Sequence, residues 1–187
     1  MELQIEDEEV MGAMQEDRTP DFLSQAQESF PYLKGKDLDV IYTPKPQESR
    51  MLEFYPPDEP GAPEAPRPKN LPMGRVGIEV FNPKVRPIDI LGDYVSHYGV
   101  QADPELKKYY GQFQQALDPK SMQERYRFHQ ENFGETRPYE QWYESTGLPE
   151  IFRGYTFNQF GDNAAEIYTP QQLMILDQVK KYLGITE

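Results

Sequence analysis

The sequence predicts a mainly α-helical fold, in which a small helical body of about five helices and one short N-terminal strand carries a long extended proline-rich N-terminal arm. Two observations predict it. Helix start signals, each a capping side chain followed by proline, precede apolar residues at helical spacing in the second half of the chain. Ten of the 18 prolines fall in residues 1–70, where they oppose regular structure. We therefore expect an arm over residues 1–70 and a helical body over residues 71–187.

Composition limits the chemistry and the partners of the chain. The 187 residues include no cysteine, which excludes disulfides, thiolate catalysis and thiolate metal sites. A net charge of -13 opposes binding to phosphate backbones, so we expect no direct nucleic-acid contact and a protein partner with a basic surface. The simpler interpretation is that this charge keeps the protein soluble. Because no apolar run is long enough to cross a bilayer, we expect no membrane contact by the soluble protein.

The predicted arm differs from the body in charge and in proline content. Residues 1–70 hold 16 acidic and 7 basic side chains, whereas residues 71–187 hold 16 acidic and 12 basic ones. Met1–Asp17 is acidic with scattered apolar residues, and we expect it to be mobile unless bound. Pro44–Pro72 contains nine prolines and predicts an extended strap, while Val40–Tyr42 is expected to add a strand to the edge of a sheet.

Six aromatic residues are spaced through the arm, although aromatic residues are scarce in segments that stay disordered. Aromatic anchors along an extended chain suit a segment that lies in a groove of another subunit, so these side chains are candidate partner-binding residues. The alternative is that they pack against the body of their own chain, and the sequence does not decide between the two. The six residues are Phe22, Phe30, Tyr32, Tyr42, Phe54 and Tyr55.

The body begins with a short strand and a helix. Apolar and other residues alternate over Arg75–Phe81, and this period of two predicts a strand. Pro87 then opens a helix, because its fixed φ suits the first helical position. We expect that helix to end at Gly99.

Two helices placed end to end form the centre of the predicted body. Asp103-Pro104 and Asp118-Pro119 each place a carboxylate at the N-cap and a proline at the first helical position. Apolar residues at helical spacing follow both signals, and Gly134 ends the second helix. The pattern predicts that the two helices form a hairpin. The residues expected on one face of its second helix are Met122, Tyr126, His129 and Phe133.

Two short helices and one longer helix complete the predicted body. Pro138–Ser145 predicts the first and Leu148–Arg153 the second, and Trp142 is expected to close one end of the core with an aromatic cluster. Thr169-Pro170-Gln171-Gln172 is a capping box that opens the last helix, which Gly184-Ile185 ends. The aromatic cluster expected beside the tryptophan is Tyr155, Phe157 and Phe160.

The sequence contains no motif that indicates a reaction. Asp93 and His97 lie four residues apart on a predicted helix and could contact a metal together, but two ligands do not make a metal site. Carboxylates are abundant, yet a catalytic pair is recognised only by its separation in space. We therefore expect a non-enzymatic protein with no catalytic residues, no bound metal and no cofactor.

Six short segments of the body form a recognisable set, namely Leu71–Pro83, Arg86-Pro87, Ile90–Asp93, Arg137-Pro138, Trp142 and Arg153–Tyr155. Together they resemble segments of tailed-bacteriophage virion proteins over about Leu71 to Phe160. The resemblance includes no catalytic signature and transfers no functional residue. What it implies is a structural role in the particle, in its head, its head-to-tail connection or its ejected internal proteins.

The arm, the body and this resemblance together favour a non-enzymatic bacteriophage virion structural or assembly protein that binds neighbouring subunits through its arm. We expect it in the host cytoplasm before assembly and then in the virion, in multiple copies beside other virion proteins. A virion-associated cell-wall hydrolase is the first alternative and requires two carboxylates that face each other in a cleft. An acidic adaptor or regulatory binding protein is the second alternative.

Overall fold

The structure, a computed structural model, describes residues 21–57, 67–157 and 167–186, and these residues are mainly helical, as predicted. No helix within these ranges is long and apolar enough to span a membrane. The elements, in chain order, are α1 (Phe22–Ser29), β1 (Leu38–Tyr42), β2 (Leu52–Tyr55), β3 (Val76–Val80), α2 (Pro87–Tyr94), α3 (Pro104–Gln115), α4 (Pro119–Phe133), α5 (Tyr139–Trp142), α6 (Leu148–Thr156) and α7 (Pro170–Leu183).

The three strands form one small sheet with β3 at its centre. β1 runs parallel to β3 on one side and β2 runs antiparallel to it on the other. In this register Val40 and Phe54 both lie opposite Ile78. All five residues of β3 are buried, because strands flank both of its edges and α2 packs against it. The strand predicted over Arg75–Phe81 is therefore confirmed and lies inside the fold.

The described part of the predicted arm is built into the fold. α1 packs against α2 and β1, and both other strands of the sheet come from this region. Pairing satisfies backbone N–H and C=O groups that an isolated extended segment leaves to water. For residues 21–57 this corrects the expectation of an arm that extends from the body. The strand expected at Val40–Tyr42 exists, paired within its own chain, while residues 1–20 and 58–66, including the centre of the predicted strap, lie outside the described ranges.

The helix that begins with α2 is longer than the sequence predicts. It continues through a π-helical turn, Val95–Gly99, and ends at Ala102 rather than at Gly99. The reason lies in the next residue, because Asp103 precedes Pro104 and has an extended conformation with ψ 117°. A proline disfavours the helical conformation at the residue before it, so the helix stops there.

The caps of α3 and α4 are those expected from the sequence. The Asp103 carboxylate accepts a hydrogen bond from the backbone N–H of Glu105 at 3.0 Å. Asp118 does the same for the backbone N–H of Ser121, also at 3.0 Å. Gly134 ends α4 in the left-handed conformation, with φ 67°. Local capping chemistry therefore determines where both helices begin and where α4 ends.

The main contacts of α3 and α4 differ from the predicted hairpin. α3 packs against α7 and α6, whereas α4 packs against α5 and the π-helical turn Tyr143–Gly147. Met122 is buried and Tyr126 packs against the core, as expected, but Phe133 is 70% exposed. An apolar face shows that a helix packs against other parts of the fold. Residues that are distant in the chain determine which parts those are.

Trp142 is fully buried, as predicted. Its indole contacts the rings of three residues from α4 and α5, with centroid separations of 5.3, 5.2 and 6.1 Å. Gly147 is required beside it, because a Cβ at that position would lie 2.6 Å from the indole. The three rings belong to Tyr126, His129 and Tyr139.

The rings that the sequence places beside the tryptophan lie elsewhere, which corrects the predicted cluster. Phe157 is buried with its ring 3.2 Å from the site where Gly92 would carry a Cβ, and Tyr155 packs on Tyr168 at 5.9 Å. Phe160 lies outside the described residues. The two short helices expected here are one continuous helical segment, in which Tyr143–Gly147 joins α5 to α6.

The boundaries of α7 follow the sequence signals. The Gln172 N–H donates to the Thr169 hydroxyl at 3.3 Å, and the Gln172 side-chain oxygen accepts from the Thr169 N–H at 2.8 Å, which completes the predicted capping box. Gly184 follows with φ 75°, and the Ile185 N–H donates to the Lys180 carbonyl at 2.9 Å. α7 then packs against α3 and α6 and closes the core.

Candidate functional site

A cleft of about 500 Å³ lies where β2, α6 and the α2 helix with its π-helical turn meet. Four charged side chains and one imidazole line it together with apolar groups. Titratable and aromatic groups that converge in a concave place mark a candidate functional site. The lining residues are Arg50, Met51, Leu52, Phe54, Asp89, Asp93, His97 and Arg153.

An ion pair between α2 and α6 forms the most buried part of the cleft. The Arg153 Nη2 lies 2.6 Å from the Asp93 Oδ1, and the two side chains are 20% and 5% exposed. Burial raises the pKa of Asp93, whereas Arg153 and His97 act in the opposite direction. The Arg153 Nε is buried without a hydrogen-bond partner among the described residues. The guanidinium therefore leaves part of its hydrogen-bonding capacity unused.

His97 lies on the π-helical turn, a rare conformation that often occurs at functional sites. Its imidazole stacks on the Phe54 ring of β2, with 5.1 Å between centroids and 28° between planes. Although the residue is exposed, protein packed around the ring removes part of its water and lowers the pKa of His97. Arg153 lowers it further and Asp93 opposes the shift. We therefore expect a neutral imidazole near pH 7.

Asp89 is the second carboxylate of the cleft, one helical turn before Asp93. Arg86 donates hydrogen bonds to both carboxylate oxygens of Asp89. The Arg86 Nη2 donates to Oδ1 at 2.8 Å, and the Arg86 backbone N–H donates to Oδ2 at 2.9 Å. Burial taken alone raises the pKa of Asp89, but the hydrogen bonds and charge of Arg86 lower it overall. The two carboxylates of one cleft thus have pKa values that are shifted in opposite directions.

This arrangement supports proton transfer better than metal binding. Carboxyl groups whose environments push their pKa values apart are suited to act as acid and base. The metal contact that the spacing of Asp93 and His97 allowed has no further support, because Asp93 pairs with Arg153. The described residues contain no group of three side chains that could hold a metal ion. They provide no set of ligands for a metal cofactor.

Four of the six candidate partner-binding side chains pack around the sheet and the cleft. Phe22 is 5% exposed and its ring packs on Tyr42 at 5.6 Å. Phe54 lines the cleft. The Tyr55 hydroxyl donates to the Glu79 carboxylate at 3.1 Å, in the middle of the sheet. Each of the four therefore contacts its own chain.

The other two candidates, Phe30 and Tyr32, are partly buried against the core. The Tyr32 hydroxyl donates to the Asp103 carboxylate at 3.1 Å, which ties the region after α1 to the start of α3. All six side chains thus adopt the packing that the sequence left open as an alternative. Their use in binding a partner stays a prediction.

Two exposed phenylalanines near the end of α4 were not among the predicted sites. Phe128 is 54% exposed and Phe133 is 70% exposed, and their rings meet edge to face at 5.8 Å. His129 lies behind them, 5.3 Å from the Phe133 ring and 5.2 Å from Trp142. Helical spacing placed Phe133 on the apolar face of α4 and did not reveal that its side chain is exposed.

The sequence also did not identify Arg153 as part of a site. One local signal was available, since Asp93 and Arg153 each lie between a glycine and an aromatic residue in the sequence. A charged side chain within a buried stretch indicates a buried partner of opposite charge. The pairing itself depends on how α6 lies against α2, which no local pattern contains.

Comparison with known proteins gives no further guide to the site. The chain matches no protein family, no curated protein sequence and no solved structure. A functional proposal therefore depends on the geometry, burial and charge of the side chains described above.

Proposed function

We propose that the chain is a non-enzymatic bacteriophage virion structural or assembly protein that contacts neighbouring virion proteins in the particle. The observation that supports the proposal is the exposed pair of rings, Phe128 and Phe133, at the end of α4. Large aromatic side chains often dominate the binding energy of protein interfaces, and a contiguous apolar patch on a surface indicates a contact site. The resemblance of the body to virion proteins suggests the kind of partner.

The two rings are held in place before any partner arrives. Phe133 packs on His129, which packs on the buried Trp142, so the patch rests on the core. A preorganised contact loses little conformational freedom on binding. Burying the still exposed parts of both rings would contribute roughly 1–2 kcal/mol each before the costs of association are subtracted. The proposal thus assigns the contact to α4, because the aromatic residues of the predicted arm pack within their own chain.

Incorporation into phage particles tests this proposal. Particles are purified from a phage that encodes either the natural chain or the double variant Phe128→Ser with Phe133→Ser, and the chain is quantified by mass spectrometry. We expect the natural chain in the particles and a strong reduction for the variant. Both proteins should melt cooperatively at similar temperatures, since the two side chains are exposed and contribute little to the core.

A matched control separates a specific contact from a general loss of apolar surface. Met73 is 60% exposed and lies in the connection before β3, so Met73→Ser removes apolar surface elsewhere. We expect this variant to be incorporated like the natural chain. Absence of the natural chain from particles would contradict the virion role, and normal incorporation of the double variant would contradict the role of α4.

A second candidate, the virion-associated cell-wall hydrolase, is favoured by the opposite pKa shifts of Asp89 and Asp93 in one cleft. In such an enzyme the protonated carboxyl group donates to the leaving-group oxygen and the carboxylate activates water. Purified cell wall is the substrate for the test. Asp93→Asn should reduce its degradation by about 100-fold or more, whereas Asp177→Asn, a change outside the cleft, should not. Lack of degradation by the natural chain would reject this candidate.

A further inference from the structure

A groove of about 710 Å³ lies between α3 and α7, with the carboxylates of Glu105 and Asp103 at its edge. It is lined by Lys108, Tyr109, Gln112, Gln178, Lys181 and Tyr182. Two of these side chains are lysines and none is acidic, on a chain whose net charge is -13. Lys108 also pairs with Glu105 at 3.0 Å, but exposed pairs at this helical spacing are weak and exchange partners readily.

The uncharged part of the groove suits a peptide. The rings of Tyr109 and Tyr182 lie 6.4 Å apart and offer apolar surface. Gln112 and Gln178 add amide groups that can donate to carboxylates and accept from backbone N–H groups. Lysines, amides and aromatic rings in one groove complement an acidic peptide that also carries apolar side chains.

We propose that this groove binds the acidic N-terminal segment of the same chain, Met1–Asp17. The segment holds seven acidic and no basic side chains, a composition that complements the two lysines. Its apolar side chains would cover the two tyrosine rings. The apolar residues are Leu3, Ile5, Val10, Met11 and Met14.

The fold brings the start of the described chain close enough to this groove. Asp21 caps α1, which leads to Tyr32, and the Tyr32 ring lies 5.9 Å from Tyr182 on the groove wall. α1 is about 12 Å long, and the 20 residues before it reach at most about 70 Å when extended. A segment tethered in this way has an effective concentration on the order of millimolar. In dilute solution the segment therefore binds the groove of its own chain in preference to the groove of a second copy.

Zero-length crosslinking of the full chain tests which lysines the segment touches. A carbodiimide joins contacting carboxyl and amino groups, and a mixture of isotope-labelled and unlabelled chains distinguishes crosslinks within one chain from those between copies. We expect carboxyl groups of Met1–Asp17 to crosslink mainly to Lys108 and Lys181 of the same chain. Lys69 and Lys84, which are also exposed, serve as controls. Equal crosslinking to all four lysines, or crosslinks only between copies, would overturn the proposal.

Hydrogen exchange gives a measurement that does not need the lysines to react. The variant Lys108→Glu with Lys181→Glu should speed amide exchange in Met1–Asp17, because the groove would then repel the segment. The variant Lys69→Glu with Lys84→Glu changes the net charge equally and should leave exchange as in the natural chain. Identical exchange in all three proteins would overturn the proposal, and high salt should act on the natural chain as the groove variant does.

Discussion

Asp103 and Asp93 lie in neighbouring helical segments, yet the fold surrounds them differently. Asp103 accepts hydrogen bonds from the backbone N–H groups of Glu105 and Leu106 and from the hydroxyls of Tyr32 and Tyr182. These donors come from the start of α3, from the region after α1 and from α7. The carboxylate therefore joins three parts of the molecule, and its acceptor capacity is used by the fold.

Asp93 is more deeply buried and depends on Arg153 for its ion pair. Burial raises its pKa, whereas hydrogen bonds lower the pKa of Asp103 against the opposing effect of burial. A carboxylate that accepts hydrogen bonds from several parts of the fold holds those parts together, and we call it a structural joint. A buried carboxylate with one counter-ion, beside an imidazole in an open cleft, retains the capacity to gain or lose a proton. The comparison thus separates a site that stabilises the fold from one that is available for function.

Removing the counter-ion of Asp93 should have the largest effect. Arg153→Met leaves a carboxylate buried without a partner, so the free energy of unfolding should fall by about 3–5 kcal/mol at neutral pH. Urea denaturation measures the loss. Arg50→Met in the same cleft is the control and should have little effect, because Arg50 is exposed. A similar loss in both variants would mean that the cleft needs its positive charges in general rather than this buried pair.

Removing the Asp103 side chain should have the next largest effect. Asp103→Ala loses a helix cap and leaves two tyrosine hydroxyls without their acceptor, which together should lower the free energy of unfolding by about 2–3 kcal/mol. Asp118→Ala is the matched control, since Asp118 caps α4 and its hydrogen bonds are local. Equal destabilisation of the two variants would show that only capping matters and that the joint adds nothing.

The two carboxylates also show which parts of the fold the sequence could predict. The capping role of Asp103 depends on its neighbour Pro104 and on the first turn of the helix, and such local chemistry is visible in the sequence. The hydroxyls of Tyr32 and Tyr182 reach Asp103 from distant parts of the chain. No periodic pattern indicates that meeting.

The same distinction explains the wrong expectation for residues 21–57 and the failure to predict the cleft. Val40–Tyr42 has a recognisable strand composition, but its pairing with β3 depends on chain closure between distant residues. Proline content suggested an extended segment, and β2 in fact lies between the prolines of that segment. The cleft combines Phe54 from this region with Asp93 and Arg153 from two helices. Sequence patterns indicated only single residues of the cleft, and the packing of β2 and α6 against α2 brings them together.

A smaller effect should separate the two tyrosines that bind Asp103. The Tyr32 hydroxyl is partly buried, so Tyr32→Phe should lower the free energy of unfolding by about 1–1.5 kcal/mol. Tyr182 is 41% exposed and water can replace it, so Tyr182→Phe should cost about 0.5 kcal/mol. Thermal or urea denaturation at neutral pH measures both. If Tyr182→Phe proved the more damaging change, the joint would depend on α7 rather than on the region after α1.

The smallest effect concerns pH, where the two carboxylates should act in opposite directions. The pKa of Asp103 is lowered in the folded state, so its contribution is complete above the unfolded value of about 3.9 and is lost as pH falls through the folded pKa. The pKa of Asp93 is raised, so its contribution is greatest below the unfolded value and decreases as pH rises through the folded pKa. The stability difference between the natural chain and Asp103→Asn should therefore shrink on acidification, whereas the advantage over Asp93→Asn should grow. Urea denaturation of the three proteins between about pH 3 and pH 7 measures both differences, and other titrating groups cancel in each comparison. If both stability differences changed with pH in the same direction, the effect of Arg153 on the pKa of Asp93 would exceed the effect of burial. Both carboxylates would then be structural joints, and the cleft would lack a candidate acid.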